Sequence, residues 1–316
     1  MTRTLGYPAI LACALGVVTT AGQQQPVFRG EADLVRVFVT VVNDDSGRIV
    51  TDLTQADFEV RDEGKVQPIK VFDNSPQPVR LVVMLDVSTS MSGSLGLLRA
   101  GSDELFKRLL PDDRVRVGSF GREVTISPTF TNDLNALRRE LPTEIKDNAP
   151  TPLWRGVDQA MNALKEDPGE RRVVLALSDG QDAGPLSFSR KERWVSPGEV
   201  IDRAVKEDVM FYAIGMRATG TRGVQPGASL GDQLAADLPD PGLAQVALQT
   251  GGGYSEIRHG QDLGAAFARV ADELHSQYLL GYDPPKRDGK THKIEVKVLK
   301  RGLKTRARKS YVAQKD

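Results

Sequence analysis

Asp86, Ser88 and Ser90 stand at alternate positions directly behind the run Val79-Arg80-Leu81-Val82-Val83-Met84-Leu85. An apolar, mostly β-branched run that stops in one carboxylate and two hydroxyls is the pattern of a buried parallel strand delivering oxygen donors to the rim of a sheet. Oxygens of Asp and Ser suit a hard cation such as Mg²⁺. Two further segments carry donors of the same kind. Thr151 lies in Ala149-Pro150-Thr151-Pro152-Leu153, just ahead of a helical pattern, and Asp179 follows the continuous apolar run Val173–Leu177. Each donor falls at a strand C-terminus or a helix start, the edge where open α/β sheets bind ligands near a reversal of strand order. The hydroxyls of Ser88 and Ser90 can face one ion if the loop curls around it. Thr151 adds a neutral oxygen, while Asp86 and Asp179 add charge directly or through water. Mg²⁺ keeps several waters, so few protein oxygens suffice. A shell of mostly neutral oxygens leaves the metal electrophilic and open to an outside carboxylate.

Holding these groups requires a sheet covered on both faces, and the pattern from residue 79 supplies one. Apolar runs predict strands at Leu81–Leu85, Arg114–Phe120, Glu123–Ile126, Val173–Leu177, Val209–Ile214 and Tyr254–Ile257. Helical spacing joins Leu98, Leu105, Phe106, Leu109 and Leu110, then Leu134–Leu141, then Leu153, Val157, Ala160, Met161 and Leu164. It recurs at Val200–Val205, Leu243–Leu248 and Leu263–Leu274. Strands alternating with helices imply an α/β fold with a doubly wound, mostly parallel sheet. Gly251-Gly252-Gly253 reads as a helix-to-strand turn and lacks the Gly-Lys-Ser/Thr of a phosphate-binding loop.

The flanks read as β. Val35, Val37, Val39 and Val41 alternate with Leu34, Arg36, Phe38 and Thr40, Asp44-Asp45-Ser46-Gly47 is a turn, and Asp57–Val60 and Ile69–Phe72 read as short β stretches. At the other end Ile294, Val296 and Val298 alternate with Lys293, Glu295 and Lys297, and Leu303–Val312 reads as a partner strand after a turn at Arg301-Gly302. Residues 27–78 and 277–316 are therefore expected to pack as one smaller β-sandwich beside a central domain spanning 79–276. The stretch from Gly215 to Pro241, rich in Gly, Pro and Asp, reads as a long insertion.

Composition narrows the function. The chain has 316 residues with 42 acidic and 42 basic side chains, so no global field draws it to nucleic acid. Arg3, the apolar Pro8–Ala21 stretch and small residues Thr20, Ala21 and Gly22 read as a signal peptide over 1–22. Export to the periplasm or the medium follows, and no stable membrane insertion is expected after cleavage. Cys13 is the single cysteine and would leave with that segment, removing disulfide and thiol chemistry. His259, His275 and His292 have no zinc-like spacing and read as surface residues. Trp154 and Trp194 could flank the binding rim, although Trp154 fits a packed helix start equally well. Eleven Lys or Arg between Lys286 and Lys309 face only Asp288 and Glu295, and the default reading is a solvated strand face with lysines guarding an edge.

Asp86-x-Ser88-x-Ser90 with a later Thr151 and Asp179 resembles the metal-ion-dependent adhesion site of von Willebrand factor type A domains, over about residues 79–276. The resemblance implies direct metal contact by Ser88, Ser90 and Thr151, with Asp86 and Asp179 acting mostly through water. The metal would be Mg²⁺, with Mn²⁺ or Ca²⁺ as alternatives. The implied role is recruitment of a protein partner presenting an Asp or Glu carboxylate, without catalysis. Thr51-Asp52-Leu53-Thr54-Gln55-Ala56-Asp57-Phe58 and Gln277-Tyr278-Leu279-Leu280-Gly281-Tyr282 resemble a narrower group of such proteins abundant in Acidobacteria. Two positions depart from the pattern: Thr89 stands where Gly is frequent, and Ala149-Pro150 where Gly-Gly is frequent. Two other readings stay open. One is a Mg²⁺-dependent hydrolase, which would need a carboxylate such as Asp182 as general base. The other is a scaffold with a vestigial metal site.

Overall fold

Alternation at one end and unbroken apolar runs in the middle build two kinds of sheet. The computed structural model describes residues 34–166, 171–184, 193–217, 238–258 and 262–315. The signal-peptide reading, Cys13, His259 and most of the 215–241 insertion fall outside the described residues. The chain opens with β1 (Val35–Asn43), β2 (Phe58–Asp62), β3 (Lys65–Gln67) and β4 (Val71–Asp73). Then come β5 (Arg80–Asp86), α1 (Leu95–Phe106), β6 (Arg114–Phe120), β7 (Val124–Ile126), α2 (Leu134–Glu140) and α3 (Leu153–Glu166). β8 (Arg172–Ser178), α4 (Pro197–Glu207), β9 (Val209–Met216), α5 (Gly242–Thr250), β10 (Tyr254–Ile257) and α6 (Leu263–Leu274) complete the middle. β11 (Tyr278–Tyr282), β12 (Thr291–Val298), β13 (Leu303–Arg306) and β14 (Ser310–Val312) close the chain.

The central sheet runs β10-β9-β8-β5-β6-β7. Every pairing is parallel except β6 with β7. Strand order reverses at β5, whose neighbours on the two sides are β6 and β8, so the switch point lies at the C-terminal ends of β5 and β8. Alternate residues of β5 serve opposite faces. Leu81, Val83 and Leu85 pack with Leu98 and Leu105 of α1 and Phe267 of α6, whereas Val82 and Met84 pack with α3, Val200 of α4 and Leu243 of α5. A strand buried on both faces has to be apolar throughout, which is why its pattern is a run and not an alternation.

The helix containing Leu98 ends at Phe106, and Leu109 and Leu110 lie beyond it, ahead of Pro111, which cannot continue a helix. α5 ends on Gly251 at φ 82°, and a side chain on Gly252 would collide with the Phe211 carbonyl. The triple glycine is thus the helix-to-strand turn that its neighbours require.

The two ends of the chain form two four-stranded sheets, β13-β1-β11-β4 and β14-β12-β2-β3. Val37, Val39 and Val41 of β1 share one core with Val60, Leu280, Ile294 and Tyr311. The flanking motifs supply its polar fastenings. The Tyr278 hydroxyl accepts from the Leu53 amide at 3.0 Å and donates to the Val50 carbonyl at 3.0 Å. Asp57 accepts from the Thr54 amide at 2.8 Å, closing the turn before β2.

Three expectations are corrected here. Leu303–Val312 is two strands in different sheets, because the chain crosses between the sheets at Ala307–Lys309, where the Lys309 amide donates to Gln249 O at 3.0 Å. Lys293 and Lys297 face solvent, but β12 lies between β14 and β2 and is no edge. His292 is 5% exposed and His275 is half-buried, each against a buried acid rather than on the surface. His292 Nδ1 lies 3.2 Å from Asp62, which also accepts from the hydroxyls of Tyr282 and Tyr311 at 2.9 and 2.7 Å.

The passages between the two cores are held by one acid and one base. Asp113 accepts from the Val79 amide at 3.0 Å and the Leu110 amide at 2.7 Å, and lies 2.8 Å from His275 Nε2. Arg171 donates to Gln77 O at 3.3 Å, to Leu274 O at 2.6 Å and to Gln277, and its guanidinium lies 4.6 Å from the Phe38 ring centre. Burial pushes the Asp113 carboxyl up, but His275 and the two amides outweigh it and hold it below the usual carboxylate range. A depressed carboxyl stabilises the fold above its unfolded value and loses that contribution as pH falls through the folded value. Asp113→Ala should therefore cost about 2–4 kcal/mol at neutral pH by orphaning buried donors. The gap between variant and wild type should narrow below about pH 4, where an unfolded carboxyl protonates. Urea unfolding of both proteins at neutral and acid pH measures it, and a pH-independent gap would refute the assignment.

Candidate metal centre

The segment after β5 curls at once. Ser88 caps a short 3₁₀ turn, Thr89–Met91, with the Met91 amide donating to Ser88 O at 3.0 Å. The curl turns an i, i+2 spacing into contact: the hydroxyls of Ser88 and Ser90 lie 3.0 Å apart. Ser90 Oγ donates to Asp179 Oδ1 at 2.7 Å, joining the end of β5 to the end of β8. Asp86 is fully buried, and its two oxygens accept from the Ser88 amide at 2.8 Å and the Ser178 hydroxyl at 2.5 Å. Ser88 and Asp179 are buried as well, and Ser90 is exposed. Asp86, Ser88, Ser90 and Asp179 thus form one hydrogen-bonded chain at the switch point.

Thr151 reaches the same edge through backbone ties. Its carbonyl accepts from the Ala183 amide at 2.9 Å, two residues before it the Ala149 amide donates to Thr89 Oγ1 at 2.8 Å, and the Ala149 carbonyl accepts from the Thr89 amide at 3.2 Å. Thr89 therefore staples the loop bearing Thr151 to the loop bearing Ser88 and Ser90. The departure from Gly at this position supplies a hydroxyl that Gly could not. Thr151 is itself 9% exposed.

Burial first, and the charge of Asp179 second, push the Asp86 carboxyl up to about 7, against the bonds from Ser178 and Ser88 that pull it down. Two adjacent carboxylates held away from water gain from a cation between them. The donors fit a hard ion: two carboxylates, with three hydroxyls of Ser88, Ser90 and Thr151 on the same edge. Among the described residues no three His, Cys, Asp or Glu side chains gather to hold a metal.

Beside this edge lies a second cluster that the spacing of the sequence concealed. Asp182 accepts from the Trp154 amide at 3.3 Å, the Gly184 amide at 3.0 Å and the Trp194 indole at 2.8 Å, and its own amide donates to Asp240 at 3.0 Å. Trp154 is 1% exposed and lies against Phe211, with ring centres 6.1 Å apart, so it belongs to the core. Trp194 is half-buried. The bond from Ser178 to Asp86 is likewise not legible in the spacing. The only sequence signal of Ser178 is its place between the apolar run and Asp179.

Residues 81–181 match the von Willebrand factor type A domain family. The chain contains a von Willebrand factor type A domain. Several solved structures are similar in shape. A von Willebrand factor type A protein from Catenulispora acidiphila is 12% identical over 82% of this chain and 74% of its own, at a TM-score of 0.47. An aerotolerance-related membrane protein from Bacteroides fragilis is 14% identical over 62% and 98%, at 0.46. Proximal thread matrix protein 1 from the mussel byssus, with its MIDAS motif occupied by zinc, is 15% identical over 66% and 48%, at 0.43. No curated protein matches the chain. The match to the type A family covers the segment from β5 to just past Asp179, and so includes Asp86, Ser88, Ser90, Thr151 and Asp179, while Asp182 and Trp194 lie beyond it.

Thr89→Val keeps the size of the side chain and removes its hydroxyl, leaving the Ala149 amide without its acceptor. It should cost about 1–3 kcal/mol. Amide exchange at Ala149 should speed up while that in β5 is unchanged, and Thr89→Ser should behave as wild type. Equal exchange rates in Thr89→Val and wild type would show that the staple does not hold the loop.

Proposed function

We propose that the protein is an exported binding module that takes Mg²⁺ at Ser88, Ser90 and Thr151, with Asp86 and Asp179 behind them, and recruits a partner through an Asp or Glu carboxylate. The observation that carries this reading is the continuous chain Ser88–Ser90–Asp179, at 3.0 and 2.7 Å, on the switch point of a type A domain. A bound Mg²⁺ would supply an electrophilic position for the partner's acid. The residues of the chain do the rest. Ser178 and the Ser88 amide orient Asp86. Thr89 fixes the spacing between the two loops. Exposed Ser90 keeps the ion-facing side open to solvent and partner.

Hydrolysis is the weaker reading because its candidate base is already engaged. The carboxylate of Asp182 accepts three donors and tethers the start of α3 to Trp194. These three bonds give the carboxylate a structural task, holding two segments together, which accounts for its burial without any catalytic role. As for location, no helix among the described residues is long and apolar enough to cross a membrane. Export itself rests on the reading of residues 1–22.

Added Mg²⁺ should raise the unfolding temperature of the wild type, and chelator should reverse the rise. Ser88→Ala combined with Ser90→Ala should lower the metal-free unfolding temperature, because Asp179 loses a donor, and should remove the response to Mg²⁺. A double variant that responds to Mg²⁺ as the wild type does would sink the site. Partner capture from the exporting cell that survives chelation would sink the carboxylate-bridging role even if the metal binds.

A further inference from the structure

The loop that carries Thr151 enters α3 through a residue whose side chain cannot cap a helix. The first amides of a helix have no partner within it, and the side chain just ahead usually accepts from the second or third of them. In α3 that position is Pro152, whose carbonyl accepts from the Gly156 amide at 2.9 Å but whose ring offers no acceptor. Asp182 does the capping from outside the helix. Its Oδ1 accepts from the amide of Trp154, the second residue of α3, at 3.3 Å. Its neighbour Ala183 donates its amide to the Thr151 carbonyl at 2.9 Å. Two consecutive residues of the loop after β8 thus hold Thr151 and the helix start that follows it.

Asp182 is itself held in place. Its Oδ2 accepts from the Gly184 amide at 3.0 Å and from the Trp194 indole at 2.8 Å. Its amide donates to Asp240, whose other oxygen accepts from the Gly242 amide at 2.8 Å, at the start of α5. A side chain on Gly242 would come within 2.6 Å of the Trp154 ring, so the starts of α3 and α5 already pack tightly. The carboxylate is therefore fixed by its own loop, by Trp194 and, through Asp240, by α5. The Thr151 hydroxyl stands in contrast, for it meets no hydrogen-bond partner among the described residues. The hydroxyls of Ser88 and Ser90 meet each other, and Ser90 meets Asp179. Only the backbone places Thr151, and Asp182 and Ala183 grip that backbone.

We propose that Asp182 is a positioning residue of the metal centre: by capping α3 from the loop after β8, with Trp194 as its clasp, it holds the free Thr151 hydroxyl toward the ion that Ser88 and Ser90 face. This inference rests on the metal reading above. Asp182 acts through Thr151 and is not a ligand. Groups that orient metal ligands from behind typically cost about 10–100-fold in metal affinity when they are removed. A role confined to stability would leave that affinity unchanged.

The test is calorimetric titration with Mg²⁺, well below the unfolding transition, of the wild type, Asp182→Ala and Asp113→Ala. The unfolding temperature of each in chelator is measured alongside. Asp113 fastens the opposite end of the sheet, so Asp113→Ala lowers stability without touching the Thr151 loop. Both variants should unfold at lower temperature than the wild type. Asp182→Ala should bind Mg²⁺ about tenfold more weakly or worse, and Asp113→Ala should bind it as the wild type does. Wild-type affinity in Asp182→Ala would overturn the positioning role and leave the metal reading standing. Equal weakening in both variants would also overturn it, because the loss would then follow stability alone. A wild type that binds no Mg²⁺ would remove the metal reading and this proposal together. Should Asp182→Ala fail to fold, Trp194→Phe deletes the indole donor and keeps an aromatic ring. It should weaken Mg²⁺ binding about threefold, and unchanged affinity there would overturn the proposal.

Discussion

A carboxylate with no exposure to water, next to a second one, is the constraint around which the type A domain is arranged. Asp86 ends β5 and Asp179 follows β8, and the parallel pairing of those strands brings the two acids to one point. Burying a charge is expensive unless it is met by donors or by an opposite charge. The chain answers with hydroxyls and amides. Ser178, the Ser88 amide and Ser90 each turn a donor toward one of the two acids. These contacts offset part of the cost and leave Asp86 with a raised carboxyl. The two acids sit where the sheet's own topology opens a crevice.

The main lines of this arrangement were visible in the sequence because they are local. Asp86 and Asp179 each follow an apolar run of β5 or β8, and such runs mark strands buried on both faces. Thr151 is found by its place before Leu153, the first residue of α3. What could not be read is what depends on distant partners. His275 meets an acid 162 positions away and His292 one 230 positions away, so neither looked different from a surface residue. Thr89 looked like a defect in the motif, since its partner Ala149 lies 60 positions on. The single strand expected over Leu303–Val312 failed for a related reason. Alternation predicts a strand but not which of two sheets its halves join.

Arg306 shows how charge patterning misleads where two cores meet. In the sequence it belongs to a basic run that reads as a solvated face. In the fold it pairs with Glu273, which also accepts from Thr40 and Tyr212 at 3.3 and 2.6 Å. Gln277 completes the cluster by donating to Thr40 and Tyr212 at 2.8 and 3.2 Å. Glu273 and Gln277 flank the passage from α6 to β11, while Thr40 and Arg306 belong to the sandwich. The basic run thus serves partly to pair the acids of the neighbouring core.

These contacts bear on how a binding event at one edge could be felt elsewhere. The oxygen-rich edge sits at the C-terminal ends of β5 and β8, and the polar junction sits at the opposite ends of the same strands and of α6. The two are joined by elements packed in close apolar cores, which move as units and do not deform gradually. The junction is polar, and its hydrogen bonds have directions, so it tolerates a discrete rearrangement better than a continuous slide. α6 is the element whose last turn carries Glu273 and whose following residues carry His275 and Gln277. Any displacement of α6 would have to break the contacts to Arg171, Asp113, Tyr212 and Arg306 together. That joint requirement makes the junction a lock on α6.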